Sequence, residues 1–504
     1  MSEQRHDDSE LERVPTGVPG FDVILRGGLF AGGAYIVRGT PGTGKTILAN
    51  QICFNHVHAG GRALYVTLLA EAHARMLQHI RRLRFFDPAA IPGSLYYVSA
   101  FRTLEEDGPR GLMDLLRREV QGHRATLLVL DGLLAIEEAT ASDQEFRKFV
   151  HELQAYAALE GCVVLLLTNG SRKEYHPEHT MVDGLVMLSD QPVGARSVRE
   201  LEIRKFRGSG FLQGKHAFRI TDDGIVIYPR LEALLARPSA EDACGEDRVT
   251  TGVPYLDDML GGGLPCGTTT LVMGPSGGGK TTLGLHFVAE ASAAEPALAF
   301  TFYETPNRLL MKARRVGLDL ERRLRDRHLE IQWQPPTEQL LDELGNRLVE
   351  SVRRGHIRRL FIDGIDGFRQ AATDQRRITH FFAALSNEFR ALGIHTCYTA
   401  EARSLIGPEI EAPTTGISVV AENMILLRFV ELHSHLYRLL SIIKVRDSGF
   451  DSSLREFRIT QRGIELANSF ESAEAILSGF ARLRPGHKQA SAAPPPKRNR
   501  RRPG

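Results

Sequence analysis

Residues 13–46 read RVPTGVPGFDVILRGGLFAGGAYIVRGTPGTGKT, and residues 248–281 read RVTTGVPYLDDMLGGGLPCGTTTLVMGPSGGGKT. The two stretches align without a gap, so Gly39 faces Gly274 and Lys45 faces Lys280. Repetition on this scale means one folding unit used twice, and it takes precedence over any local reading. Each stretch closes on G-x-x-x-x-G-K-T, Gly39 to Thr46 and Gly274 to Thr281. An apolar run of strand length precedes each motif and a helical pattern follows it. In that context the glycine-rich turn is a phosphate cradle.

The physical reason is local. Gly39, Gly42, Thr43 and Gly44 in the first copy can turn successive backbone N–H groups toward one anion. Gly274, Gly277, Gly278, Gly279 and Thr282 do the same in the second. The helix start adds partial positive charge. Lys45 and Lys280 are expected to reach the β- and γ-phosphates, while Thr46 and Thr281 are expected to ligate Mg²⁺. A carboxylate is also needed beside the metal. TLLVLDG ends an apolar strand on Asp131, and RLFIDG ends one on Asp363, the place for the metal-side acid in such folds. ATP with Mg²⁺ is therefore the expected ligand of both copies.

Around the first motif, Ala34–Val37, Leu64–Thr67, Leu95–Val98, Leu127–Leu130 and Val163–Leu167 are apolar runs of strand length. Between them, Leu112–Val120 and Phe146–Leu159 repeat apolar residues near every third or fourth position. Near-continuous apolar strands separated by helices imply a parallel sheet covered on both faces. Arg199–Phe206, Ala217–Ile220 and Ile225–Tyr228 read as an antiparallel extension, and the second copy repeats the order. The fold class is α/β: tandem RecA-like P-loop NTPase domains, each a mostly parallel sheet with helices on both faces. The expected boundaries are a first domain at 1–236, a linker at 237–247 and a second domain at 248–472. A tail follows at 473–504, disordered and basic from about residue 485 because its composition cannot offset the entropy of ordering.

With these motifs placed, the chain resembles the KaiC family of RecA-superfamily ATPases. The resemblance runs from about Thr16 to Ser478. It includes TGVPGFD and TGVPYLD, both phosphate loops with their acids, and the closing segments at 204–225 and 443–464. It implies a hexameric ring with ATP between neighbouring subunits. Lys205 with Arg207, and Lys444 with Arg446, would then reach the γ-phosphate of the next protomer.

Departures from the family pattern are informative. The family carries tandem glutamates after the second strand, one of which activates water. Here Leu69 and Ala70 stand at those positions in the first copy, with Glu71 one residue late; Tyr303 and Glu304 stand there in the second. Leu and Ala cannot accept a proton. The first copy is therefore expected to bind ATP and hydrolyse it very slowly, and Glu304 is the candidate catalytic residue of the second. At the family's Ser-Thr phosphorylation pair this chain has Ser418 and Val419. Ser418 is the candidate single phosphosite, with Thr414 and Thr415 beside it; an ordinary loop serine is the other reading.

Bulk composition excludes several classes. Hydrophobic residues at 42% and charged residues at 25% are the balance of a protein with a real core. No run approaches the ~18 apolar residues of a membrane span. Met1–Arg13 is polar, without the apolar core of a secretory signal. The five cysteines are scattered without a C-x-x-C pair, which suits a reducing compartment and a cytoplasmic location. Lys and Arg number 63 against 61 Asp and Glu. Eight of those cations lie in Ala481–Gly504, which holds no acid. The rest is mildly acidic, a weak basis for nucleic-acid binding.

His56 with His58, and His433 with His435, lack a third ligand nearby and read as surface histidines. Trp333 reads as a packing residue, with adenine stacking the other reading. The function expected is a ring ATPase signalling through unidentified protein partners, with serine autokinase activity to be tested. A RecA-like DNA-repair accessory and a nucleotide-gated scaffold are the alternatives.

Overall fold

The computed structural model describes residues 12–68, 73–169, 181–240, 245, 247–402, 420–432, 435–446 and 448–467. The first sheet has nine strands: β1 Ala34–Gly39, β2 Ala63–Thr67, β3 Leu95–Ser99, β4 Leu127–Asp131, β5 Val163–Thr168, β6 Gly184–Val193, β7 Arg196–Phe206, β8 Lys215–Thr221 and β9 Gly224–Tyr228. Their spatial order is β9-β8-β7-β6-β1-β5-β4-β2-β3. From β6 through β3 the pairs are parallel, while β6 to β9 form the antiparallel extension.

Alternation along each strand feeds two cores. Tyr35, Val37, Tyr65, Val129 and Leu165 join the layer containing Leu48 and Ile52 of helix α1, Lys45–His58. Ile36, Leu64, Val66, Leu128 and Leu166 join another with Leu112, Leu116, Phe149 and Leu153. Period-two side chains on strands covered by helices on both faces produce this double core. The expected amphipathic stretch at 112–120 lies beyond a break in Phe101–His123, where Gly108 has φ 68° and Pro109 follows.

Strand β6 was not expected. Its first half is buried and pairs with β1, whereas Gln191 and Pro192 run out into solvent. The apolar signal therefore covers only half its length.

The second sheet repeats the design with β10 Thr269–Gly274, β11 Ala297–Thr301, β12 Leu329–Trp333, β13 Arg359–Asp363, β14 His395–Glu401, β15 Asn423–Leu432, β16 His435–Val445, β17 Arg455–Thr460 and β18 Gly463–Leu466. Its order, β18-β17-β16-β15-β10-β14-β13-β11-β12, matches the first strand for strand. Helix α2, Lys280–Ala289, packs Leu283, Leu285 and Phe287 against Val272, Phe361 and Cys397. Two compact units divide the chain. One is Met1–Ser239 with Pro336–Arg353 and Phe368–Glu388; the other is Ala240–Pro335 with Arg354–Gly367 and Phe389–Gly504. Among the described residues no helix is long and apolar enough to cross a membrane.

Candidate functional site

In both units the phosphate loop leaves the C-terminal end of a parallel strand and runs directly into a helix. Gly44 and Gly279, at the N-caps of α1 and α2, have φ of 102° and 103°. A side chain at that angle would be strained, and glycine adopts it freely. An added Cβ at Gly42 or Gly277 would meet nothing within 4 Å, so these backbones line open space. Thr43 is buried and its hydroxyl donates to the Thr40 carbonyl at 2.8 Å. Gly278 N–H donates to the Pro275 carbonyl at 3.1 Å, and Thr282 is buried on the first turn of α2.

The lysines fold back over their own loops. Lys45 Nζ donates to the carbonyls of Gly39 (2.7 Å) and Thr40 (3.2 Å). Lys280 Nζ donates to those of Gly274 and Pro275, both at 2.8 Å. Burial holds both ammonium groups below their ordinary pKa. Asp131 opposes this at Lys45, and Glu401, Asp363 and Asp366 oppose it at Lys280. A desolvated cation above glycine backbone, beside hydroxyl and carboxylate oxygens, suits a phosphate with a hard divalent cation.

The strand-end acids sit where the sequence places them. Thr46 Oγ1 is 3.5 Å from Asp131 Oδ2. Thr281 Oγ1 is 3.0 Å from Asp363 Oδ2 and 3.3 Å from Oδ1. Their supports differ. In the first unit the Tyr65 hydroxyl donates to Asp131 Oδ2 at 2.8 Å. Next to it, Tyr97 OH donates to Asn50 Oδ1 and Asn50 Nδ2 donates to the Thr46 carbonyl, each at 2.8 Å. In the second unit Thr399 Oγ1 donates to Asp363 Oδ1 at 2.7 Å. Burial raises the Asp363 pKa, and the hydrogen bonds from Thr399 and Thr281 counter it.

Glu304 is ion-paired with Lys312 of helix α3, Pro306–Arg315. Both act electrostatically on Asp363, which places them at this site. Lys312, Glu401, Asp366, Thr399 and Tyr65 escaped sequence reasoning. Only the repeat register could have exposed them, by showing which residues share a strand end.

The four cations expected to act on another protomer lie away from their own loops. Lys205 pairs with Leu185, which in turn pairs with Ile36 of β1. Lys444 pairs with Met424, which pairs with Leu271 of β10. Each lysine is thus three residues short of the loop glycine along the sheet, roughly 10 Å, and two strands across. Arg207 and Arg446 fall just past the ends of β7 and β16. Arg207 Nη1 donates to the Met181 carbonyl at 3.4 Å, and Lys444 Nζ to the Ala421 carbonyl at 2.8 Å.

Trp333 is not a packing residue. It is 43% exposed at the end of edge strand β12, its Nε1 donating to the Phe302 carbonyl at 3.0 Å. His56 Nε2 lies 2.8 Å from Thr126 Oγ1, and His58 Nε2 lies 3.4 Å from Asp87 Oδ2. Among the described residues no group of three His, Cys, Asp or Glu could hold a metal ion. Leu69, Ala70 and Glu71, His433, Thr414, Thr415, Ser418 and Val419, and the tail from residue 473 lie outside the described residues.

Comparison with known proteins gives a consistent picture. A family model described as an ATPase, KaiC, matches residues 14–232 and again 249–471. The chain is 28% identical to the circadian clock oscillator protein KaiC of Acaryochloris marina, over 95% of this chain and 94% of that protein. It is 28% identical to the protein of that name from Synechococcus elongatus, over 93% and 92%. Circadian clock protein KaiC3 of a Synechocystis strain is 25% identical over 93% and 94%.

Proposed function

This chain belongs to the KaiC family of ATPases, and on that premise we propose an ATP-fuelled cytoplasmic ring with unequal sites. The first copy holds nucleotide to build the assembly, and the second hydrolyses it. The observation that carries this reading is the difference in charge around the two loop lysines. Among the described residues, Lys280 has Glu401, Asp363 and Asp366 in its field, with Glu304 close by, whereas Lys45 has Asp131. A site that must orient water and accept a proton needs carboxylates; a site that only retains nucleotide does not.

Gly39–Thr46 and Gly274–Thr282 would wrap the phosphates. Thr46 with Asp131, and Thr281 with Asp363, would hold Mg²⁺ and its waters, and the bound cation would neutralise charge on the transferring phosphoryl group. Glu304 would orient the attacking water. Its pairing with Lys312 keeps the carboxylate in one place until nucleotide enters.

The placement of Lys205, Arg207, Lys444 and Arg446 supports a closed ring, of six subunits by family likeness. Lys205 and Lys444 stand three residues short of their own loops and two strands across, so a γ-phosphate contact of the family's kind would come from a neighbouring chain. Output would pass to protein partners that bind one nucleotide state better than another. Autophosphorylation on Ser418 is a finer proposal, and phosphopeptide mapping after incubation with ATP decides it.

Steady-state ADP release from the intact chain tests the unequal sites. Lys280→Ala is expected to remove nine-tenths or more of turnover, since a lost charge-assisted contact to phosphate costs roughly 1.5–3 kcal/mol. Lys45→Ala is expected to spare most turnover per assembled ring and to shift light scattering toward smaller species. Equal loss from both substitutions would falsify the division of labour.

A further inference from the structure

The two copies grip the strand-end carboxylate from opposite neighbours. Tyr65 on β2 is fully buried, and its hydroxyl donates to Asp131 Oδ2, the oxygen that faces Thr46. Tyr65 pairs with Val129, two residues before Asp131 on β4, so the phenol spans about 7 Å of strand to reach its partner. In the second copy the matching register position is Ala299, which pairs with Phe361. There Asp363 is held from the other side, by Thr399 on β14. The first-copy residue in the Thr399 position is Leu167, paired with Asp131 and unable to donate.

We propose that Tyr65 is a positioning residue of the first nucleotide site, its hydroxyl fixing the Asp131 carboxylate toward Thr46 and thereby setting how tightly Mg²⁺ is taken up with nucleotide. The assignment rests on Asp131 being the metal-side acid. An aspartate side chain rotates broadly about its terminal bond, so a carboxylate without a fixed donor presents its oxygens in many directions. Hydrogen bonds to charged groups are the strong ones, and a buried hydroxyl is held to its partner because leaving it bare is costly. Burial first, and then Asp131, push the Tyr65 pKa well above its usual value.

The test uses the full chain carrying Lys280→Ala, so that uptake of a ribose-labelled fluorescent ATP analogue reports the first site. Mg²⁺ is titrated at fixed analogue. Tyr65→Phe is expected to raise the Mg²⁺ concentration for half-saturation about tenfold, with binding in the absence of Mg²⁺ unchanged. Adding Leu167→Thr, the second copy's arrangement, is expected to restore it. An unshifted Tyr65→Phe beside a shifted Asp131→Asn overturns the role of Tyr65 alone. An unshifted Asp131→Asn overturns the metal-side reading and this proposal with it. Equal weakening with and without Mg²⁺, joined to a lower Tm, makes Tyr65 a packing residue and also overturns it.

Discussion

Beneath the first loop lie two phenols, Tyr65 and Tyr97, at one register on neighbouring strands with ring centroids 5.4 Å apart. Beneath the second, the same positions hold Ala299 and Ile331. The bulk has moved rather than vanished: Phe361 replaces Val129 on the adjacent strand, and Gly284 of α2 replaces Ala49 of α1. Each unit keeps a filled core by trading size among four positions, which is how cores tolerate change. The trade has a chemical consequence. A tyrosine can carry a hydroxyl to the strand ends, and a phenylalanine cannot, so the second copy recruits Thr399 instead. A duplicated fold can thus hold its architecture constant while its two sites acquire different polar surroundings.

The sharpest way to break the comparison is at Glu304. Glu304→Gln is expected to cut turnover roughly 100-fold while leaving nucleotide affinity nearly unchanged. Retained turnover would move hydrolysis to the first copy and erase the contrast. Next in size is the packing trade. A Cβ at Gly284 would lie 2.0 Å from Phe361 Cε2, so Gly284→Ala is expected to cost about 1–3 kcal/mol. Phe361→Val, the first copy's solution, is expected to recover most of that loss. Denaturant unfolding of the two single variants and the double variant measures the coupling, and additive losses would refute the trade.

The smallest effect concerns pH. In the first copy Gln51 accepts from the Ile225 N–H (2.7 Å) and donates to the Ile225 carbonyl (3.2 Å). In the second, His286 at the matching position takes the Ile464 N–H at 3.0 Å and meets the Gly252 carbonyl at 3.1 Å. With Nδ1 donating to Gly252, the ring is neutral. Burial lowers its pKa below the usual histidine value. The unfolded chain therefore binds this proton first, and the bond's contribution is present above about pH 6.5 and declines as pH falls from there. His286→Gln is expected to flatten Tm against pH on that acid side. His395, pushed down to about 4 by burial, keeps some slope in place. A profile as steep as the parent's would remove His286 as a source of the difference.

Legibility followed the range of the forces involved. The loops, their lysines and the strand-end acids were readable because each needs a fixed residue type at a fixed spacing along one strand–turn–helix. Most strands were readable because burial on both faces demands unbroken apolar runs. Strand β6 was not, since its outer half runs past β1 and pairs only with β7, exposed to solvent. The reading of Trp333 as packed failed because an edge strand offers its last side chain only partial cover, which only the strand order reveals.

Glycine spacing and apolar runs alone determined a duplicated phosphate-binding α/β unit, since backbone angle and burial are set within a few residues. Which hydroxyl supports which carboxylate was decided by tertiary structure. Tyr65 and Asp131, or Thr399 and Asp363, are remote in sequence and meet only because parallel pairing brings β2 beside β4 and β13 beside β14. Hydrogen bonds act over about 3 Å, a distance that sequence separation does not encode.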